Sequence, residues 1–207
     1  MTALPIRFET WLFGKNWRLH PHQVAILEAS FKRAQLLIAP TGAGKTLAGF
    51  LPSLIELEDE HGNGLHTLYI SPLKALAADI RRNLKGPVEE LGLPITIEDR
   101  TGDTSSHIKR RQRAAPPDIL LTTPESLALL ISYENAPRIF SNLKRVVVDE
   151  IHALIESKRG DQLMLALSHV QAIAPSLRRV GLSATVDDPV ATASFLSPEP
   201  KGCAVHF

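Results

Sequence analysis

Residues 36–50 read LLIAPTGAGKTLAGF: an apolar run, a polar loop with two glycines and one lysine, then apolar residues again. The loop fits the spacing G-x-x-x-x-G-K-[ST], with Ala39 in the first glycine position. An ordinary turn between a strand and a helix explains the glycines but not the lysine and threonine behind them. Gly42 and Gly44 let backbone N–H groups close around phosphate oxygens without a Cβ in the way. Lys45 is placed for the β- and γ-phosphates of ATP and Thr46 for Mg²⁺, with Thr41 and Ala43 completing the cradle. A helix starting at this point aims its positive dipole end at the same phosphates. The flanks agree, since residues 34–39 read as a strand and 47–57 as a helix.

Outward from the loop, short apolar runs alternate with longer amphipathic segments. The runs AQLLIA (34–39), HTLYIS (66–71), ITIED (95–99), DILLTT (118–123), RVVVDE (145–150) and RVGLSAT (179–185) predict strands. Helices are expected over 45–60 with a kink at Pro52, over 73–86 ending near Gly86-Pro87, and over 124–132 and 160–174. Residues 1–33 read as mainly helical, with Trp11, Phe13, Trp17 and Phe31 as an apolar skin. Strands alternating with helices imply an α/β fold, a parallel sheet covered on both faces. The unbroken run Val146-Val147-Val148 suits burial on both sides. In such sheets ligands gather at the carboxyl ends of strands. The polar clusters 41–46, 71–74, 122–125, 149–152 and 183–185 all fall at such ends. SPEPKG (197–202) reads as the start of a linker.

A chain of 207 residues suits one large domain, and 44% hydrophobic with 22% charged residues is the balance of a soluble globular protein. No apolar run is long enough to span a bilayer, and MTALPIRFETW lacks the regions of a secretory signal. Cys203 is the only cysteine, which excludes an internal disulfide and fits a reducing cytoplasm. A net charge of +1 advertises no polyanion partner. The basic run KRRQR (109–113) reads as a solvated helix face in preference to a phosphate-facing patch. His20-x-His22 and Cys203-x-x-His206 are isolated pairs, so no zinc site is expected.

VVVDEIH places Asp149 and Glu150 where a buried strand ends. Two adjacent carboxylates there are costly unless a cation joins them, and Mg²⁺ carried by ATP is such a cation. Asp149 is the expected metal ligand, and Glu150 the group that aims the attacking water and takes its proton. A helix cap would account for one carboxylate and leave the upstream phosphate loop unexplained.

At this point a resemblance enters. APTGAGKT, SPLKALA, TGD, TTPES, DEIH and SAT occur in the order of motifs I, Ia, Ib, Ic, II and III of superfamily 2 helicases. DEIH with SPLKALAADI and RTGDTSS resembles the large helicase-related group, especially bacterial ligase-associated DExH-box DNA helicases. The resemblance implies a RecA-like motor domain over 34–196, preceded by a helical segment (1–33) carrying a Q-motif-like Gln23 for adenine. Residues 197–207 would begin a linker to a second RecA-like domain. It further implies ATP-driven 3′-to-5′ translocation on single-stranded or tailed DNA in DNA repair, with ligase or nuclease factors as partners. The implied setting is bacterial, cytoplasmic and nucleoid-associated.

By the same resemblance, Pro72, Leu73, Lys74, Thr101, Gly102, Asp103, Thr123, Pro124 and Glu125 face the nucleic-acid backbone. In coupling roles, His152 would link the acidic site to motif III or the partner domain, and Ser183 and Thr185 would relay the state of the γ-phosphate by hydrogen bonds. Lys74 stands where many relatives carry arginine, a point contact in place of a fork. No arginine follows Thr185, so the arginines that such motors supply from a second domain are expected outside these residues, as are accessory domains. An RNA-remodelling helicase domain and a module that binds ATP and nucleic acid without turnover stay open as alternatives.

Overall fold

The computed structural model describes residues 4–197 and 202–207, apart from the side chains of residues 75–78. Part of the expected linker (198–201) and part of SPLKALA thus lie outside the described residues. The chain begins with α1 (Ile6–Gly14) and α2 (Pro21–Glu28), then enters β1 (Ala34–Ile38), α3 (Lys45–Glu60) and β2 (Thr67–Ile70). Next come α4 (Lys74–Glu90), β3 (Ile97–Arg100), α5 (Ser106–Ala114), β4 (Ile119–Thr122), α6 (Pro124–Ile131) and α7 (Ala136–Phe140). It continues through β5 (Arg145–Val148), a 3₁₀ turn (Ile151–Ala153), α8 (Lys158–Ile173), β6 (Arg178–Ser183), α9 (Pro189–Leu196) and β7 (Cys203–His206).

The strands form one sheet in the order β3-β4-β2-β5-β6-β1-β7, every neighbouring pair parallel. Because successive strand residues point to opposite faces, each run feeds two separate cores. Leu37, Tyr69, Val147 and Leu182 pack with Phe8, Ile26, Phe50, Leu54 and Leu84 beneath α1–α4. Leu36, Leu68, Ile70, Val146 and Val148 pack with Leu127, Phe140, Leu163 and Leu167 beneath α6–α8. That double covering is why these strands are apolar without alternation.

Two expectations are corrected. α4 does not stop at Gly86-Pro87 but runs to Glu90 with Pro87 inside it. Leu84, Val88 and Leu91 carry the buried stripe across the proline at i, i+4, i+7. Burying each contributes about 1.5–3 kcal/mol, enough together to override the roughly 3 kcal/mol cost of an interior proline. Residues 203–206, expected in a linker, instead extend the sheet as β7, in register Ala34↔Cys203 to Leu37↔His206. His206 Nε2 lies 3.1 Å from Gln35 Oε1 of β1, and Val205 packs against the second core. α3 runs through Pro52 as a single helix.

At the amino-terminal rim of the sheet sits a buried ion cluster. Arg145, with no exposed surface, donates to Glu56 Oε1 at 2.7 Å and Ser53 Oγ at 3.2 Å. Arg178 donates to the two oxygens of Glu56 at 2.8 and 3.2 Å, and His66 Nε2 lies 3.4 Å from Glu56 Oε2. Burial alone would raise the Glu56 pKa. The His66 contact and the guanidinium groups of Arg145 and Arg178 outweigh it and hold the carboxyl at about 2.

Candidate functional site

The opposite, carboxyl-terminal rim carries the predicted residues, and it divides in two. β5, β6 and β1, adjacent in the sheet, lead into Asp149–Glu150, Ser183–Thr185 and the glycine loop. β3, β4 and β2, also adjacent, lead into Thr101–Asp103, Thr123–Glu125 and Pro72–Lys74.

In the first half, Gly42 and Gly44 have φ of +83° and +76°, the left-handed region where glycine is at ease. A Cβ at Gly44 would also fall 2.6 Å from Gln23 Nε2. α3 starts at Lys45, so its free N–H groups face the loop. Lys45 Nζ donates to Ala39 O at 2.8 Å and Pro40 O at 3.1 Å. A phosphate oxygen is a stronger acceptor than either carbonyl. Gln23 braces the loop: its Oε1 accepts from His20 N at 2.8 Å and its Nε2 donates to Gly44 O at 3.1 Å. One amide hydrogen and one lone pair remain for a further partner. His22 Nε2 lies 2.9 Å from Ala43 O, a support for the loop that sequence reading missed.

Across the cleft, Asp149 is buried, with Oδ1 accepting from Glu150 N at 2.9 Å and Oδ2 from the Tyr69 hydroxyl. Glu150 itself has φ +46°, an unusual conformation for a residue with a side chain. His152 Nδ1 lies 2.8 Å from Ser183 Oγ and 3.4 Å from Glu150 Oε2. The Ser183 hydroxyl spends its one hydrogen on Thr185 O at 2.7 Å, so Nδ1 carries the proton between them. Thr185 thus takes part through its carbonyl; its side chain is exposed. Gln23, Thr41, Gly42, Gly44, Lys45, Thr46, Asp149 and Glu150 line one cleft of about 740 Å³. Trp17, Leu19 and, on α4, Asp79 and Asn83 also line it, none of them among the expected site residues. Among the described residues no group of three or more His, Cys, Asp or Glu could hold a metal by itself. Thr46 and Asp149 offer a hydroxyl and a carboxylate, the hard oxygen donors suited to Mg²⁺ arriving with a phosphate chain.

In the second half, Thr123 caps α6, its hydroxyl accepting from Ser126 N, with Pro124 in the first turn. Lys74 Nζ pairs with Asp103 at 3.1 Å, both side chains more than half exposed. Arg159, which the motifs did not flag, donates from Nε to Glu125 Oε1 at 2.6 Å and from Nη2 to Pro72 O at 2.8 Å. The basic run is largely committed: Lys109 to Gly102 O, Arg111 to Glu98, and Arg113 over the Tyr133 ring at 4.0 Å. Among the described residues no helix is long and apolar enough to cross a membrane.

Comparison with known proteins adds the following. A family model described as DEAD/DEAH box helicase matches residues 20–193. The chain is 42% identical over 213 residues to an ATP-dependent helicase Lhr-Core protein 2 of Thermococcus barophilus, covering 94% of this chain and 24% of that protein. It is 46% identical over 176 residues to an Lhr helicase/probable uracil glycosylase of Mycolicibacterium smegmatis, covering 78% and 12% respectively. The chain therefore spans a quarter or less of the length of these curated relatives. The structure of Mycobacterium smegmatis helicase Lhr bound to ssDNA and AMP-PNP superposes with a TM-score of 0.87 at 37% identity, covering 98% of this chain and 27% of that one.

Proposed function

The chain belongs to the DEAD/DEAH box helicases, and from that membership we propose that it is the first motor domain of an Lhr-type, ATP-driven DNA translocase. The observation that carries this reading is the single cleft shared by Gln23, the glycine loop, Lys45, Thr46, Asp149 and Glu150. Lys45 exchanges its two carbonyl partners for γ-phosphate oxygens, and Gln23 offers its remaining donor and acceptor to the adenine edge. Thr46 and Asp149 would hold Mg²⁺, which neutralises phosphate charge when bound. Glu150 aims the attacking water and takes its proton. His152, bridging Glu150 and Ser183, passes the state of the acidic pair toward the β6 end and Thr185.

The other half of the rim is the nucleic-acid face: Pro72, Leu73, Lys74, Thr101, Gly102, Asp103, Thr123, Pro124 and Glu125. Hydroxyls, helix-start amides and one lysine grip phosphates without reading bases. The exposed Lys74–Asp103 pair is worth about 0–1 kcal/mol, so a phosphate competes for Lys74 at little cost. DNA is favoured because the M. smegmatis Lhr structure holds ssDNA. A 3′-to-5′ direction, a role in ligase-linked DNA repair and a cytoplasmic, nucleoid-associated setting complete the proposal. A second RecA-like domain supplies the transition-state arginine, worth roughly 10³ to 10⁵ in rate.

The test uses the enzyme with its second motor domain, on 3′- and 5′-tailed DNA and RNA duplexes. ATP-dependent unwinding of 3′-tailed DNA is expected, with Lys45→Ala abolishing ATP binding in calorimetry. Preferential unwinding of RNA overturns the substrate; unchanged ATP affinity in Lys45→Ala overturns the site.

A further inference from the structure

The two halves of the rim meet at the β2–β5 border. Between Glu150 and Arg159 the chain crosses that border in a tightly braced path. The 3₁₀ turn Ile151–Ala153 follows Glu150 directly, and Leu154 N bonds back to Ile151 O at 2.9 Å. Ser157 then caps α8: its hydroxyl donates to Leu154 O at 2.6 Å and accepts from Gly160 N at 3.0 Å. Gly160 abuts the same carbonyl so closely that a Cβ would fall 2.0 Å from Leu154 O. A displacement of the turn beside Glu150 has no slack to absorb it before it reaches the start of α8. Arg159 stands there, its guanidinium reaching across the border to Glu125 after β4 and Pro72 O after β2.

We infer that Arg159 is a positioning residue that couples the acidic pair to nucleic-acid binding by holding the loops after β2 and β4 in one arrangement. The inference rests on the proposed reading of that half of the rim as the nucleic-acid face. An isolated exposed Arg–Glu pair contributes little on its own. What distinguishes Arg159 is the fork: two different N–H groups engage two different elements, a carboxylate on one and a backbone carbonyl on the other. A lysine keeps the charge but presents its donors from a single nitrogen.

The experiment measures ATP hydrolysis against single-stranded DNA concentration in the enzyme with its second motor domain. Arg159→Gln is expected to raise the half-maximal DNA concentration about tenfold, within the usual range of coupling between sites. ATP affinity without DNA and the thermal unfolding midpoint are expected to stay at wild-type values. Arg159→Lys is expected to fall between the two, because it retains the ion pair and loses the second reach. An unchanged half-maximal DNA concentration in Arg159→Gln overturns the inference. So does a parallel loss of DNA-free ATP affinity, which marks a merely structural role. A wild-type enzyme whose hydrolysis ignores DNA overturns the proposed function itself, a different result from a stimulated wild type with an indifferent variant.

Discussion

Asp149 has both oxygens engaged, one by the backbone of its neighbour and one by a phenol from another strand. Burial pushes the Tyr69 pKa well up and the Asp149 charge pushes it further, so the ring stays a protonated donor. Phe50 stacks on it at 4.9 Å and keeps it in place. Tyr69→Phe preserves the stack and removes the donor; hydrogen bonds to charged groups are worth about 1.5–3 kcal/mol. A drop of that size in unfolding free energy is expected, read from urea denaturation with an unchanged slope. An unaltered midpoint would show that the phenol contributes nothing to holding the carboxylate. In the sequence Tyr69 was one more apolar strand residue, because its partner is 80 positions away. Lys45, Asp149 and Glu150 stand out in the sequence, since phosphate and metal chemistry leaves few residue types to choose from, and the fold brings all three to one cleft. Arg159 does not stand out: an arginine in SKRGD carries no local mark of the two loops it joins.

Elements were read correctly where one signal dominated and misread where two competed. β5 announced itself by the continuous apolar run Val146-Val147-Val148. α4 crossed Pro87 because a buried stripe outweighs one breaker, and sequence reading had given the breaker priority. β7 was missed because CAVH is short, only half-buried, and takes its stability from pairing with β1. At this scale the start of α8 makes a sharp test. Gly160→Ala puts a methyl group into a backbone carbonyl that cannot rotate away, so α8 must shift or unwind its first turn. Overpacking of this kind costs about 1–3 kcal/mol, and a contact this short belongs at the upper end. Thermal unfolding of the variant checks it; a midpoint equal to wild type would mean that the 154–160 turn is slack.

At the scale of the whole molecule, each rim of the sheet carries its own charged groups, Glu56 with Arg145 and Arg178 at one and Glu125 with Arg159 at the other. At the amino-terminal rim Glu56 serves Arg145 and Arg178. Its carboxyl ionises near pH 2 in the fold and near 4.5 as an ordinary glutamate. The unfolded chain binds more protons between those values, so the stabilisation is complete above pH 4.5 and disappears as pH falls through about 2. The full difference amounts to about 3 kcal/mol. Glu56→Gln strands a buried guanidinium and is expected to cost about 3–5 kcal/mol at neutral pH. The gap between variant and wild type should close during acid titration; a gap independent of pH would place the effect in packing. The cleft lined by Lys45, Asp149 and Glu150 lies at the other rim. Glu56, Arg145 and Arg178 lie on α3, β5 and β6, three elements that lead at their other ends to Lys45, Asp149 and Ser183. Acidification that neutralises Glu56 therefore loosens the frame that aims those side chains.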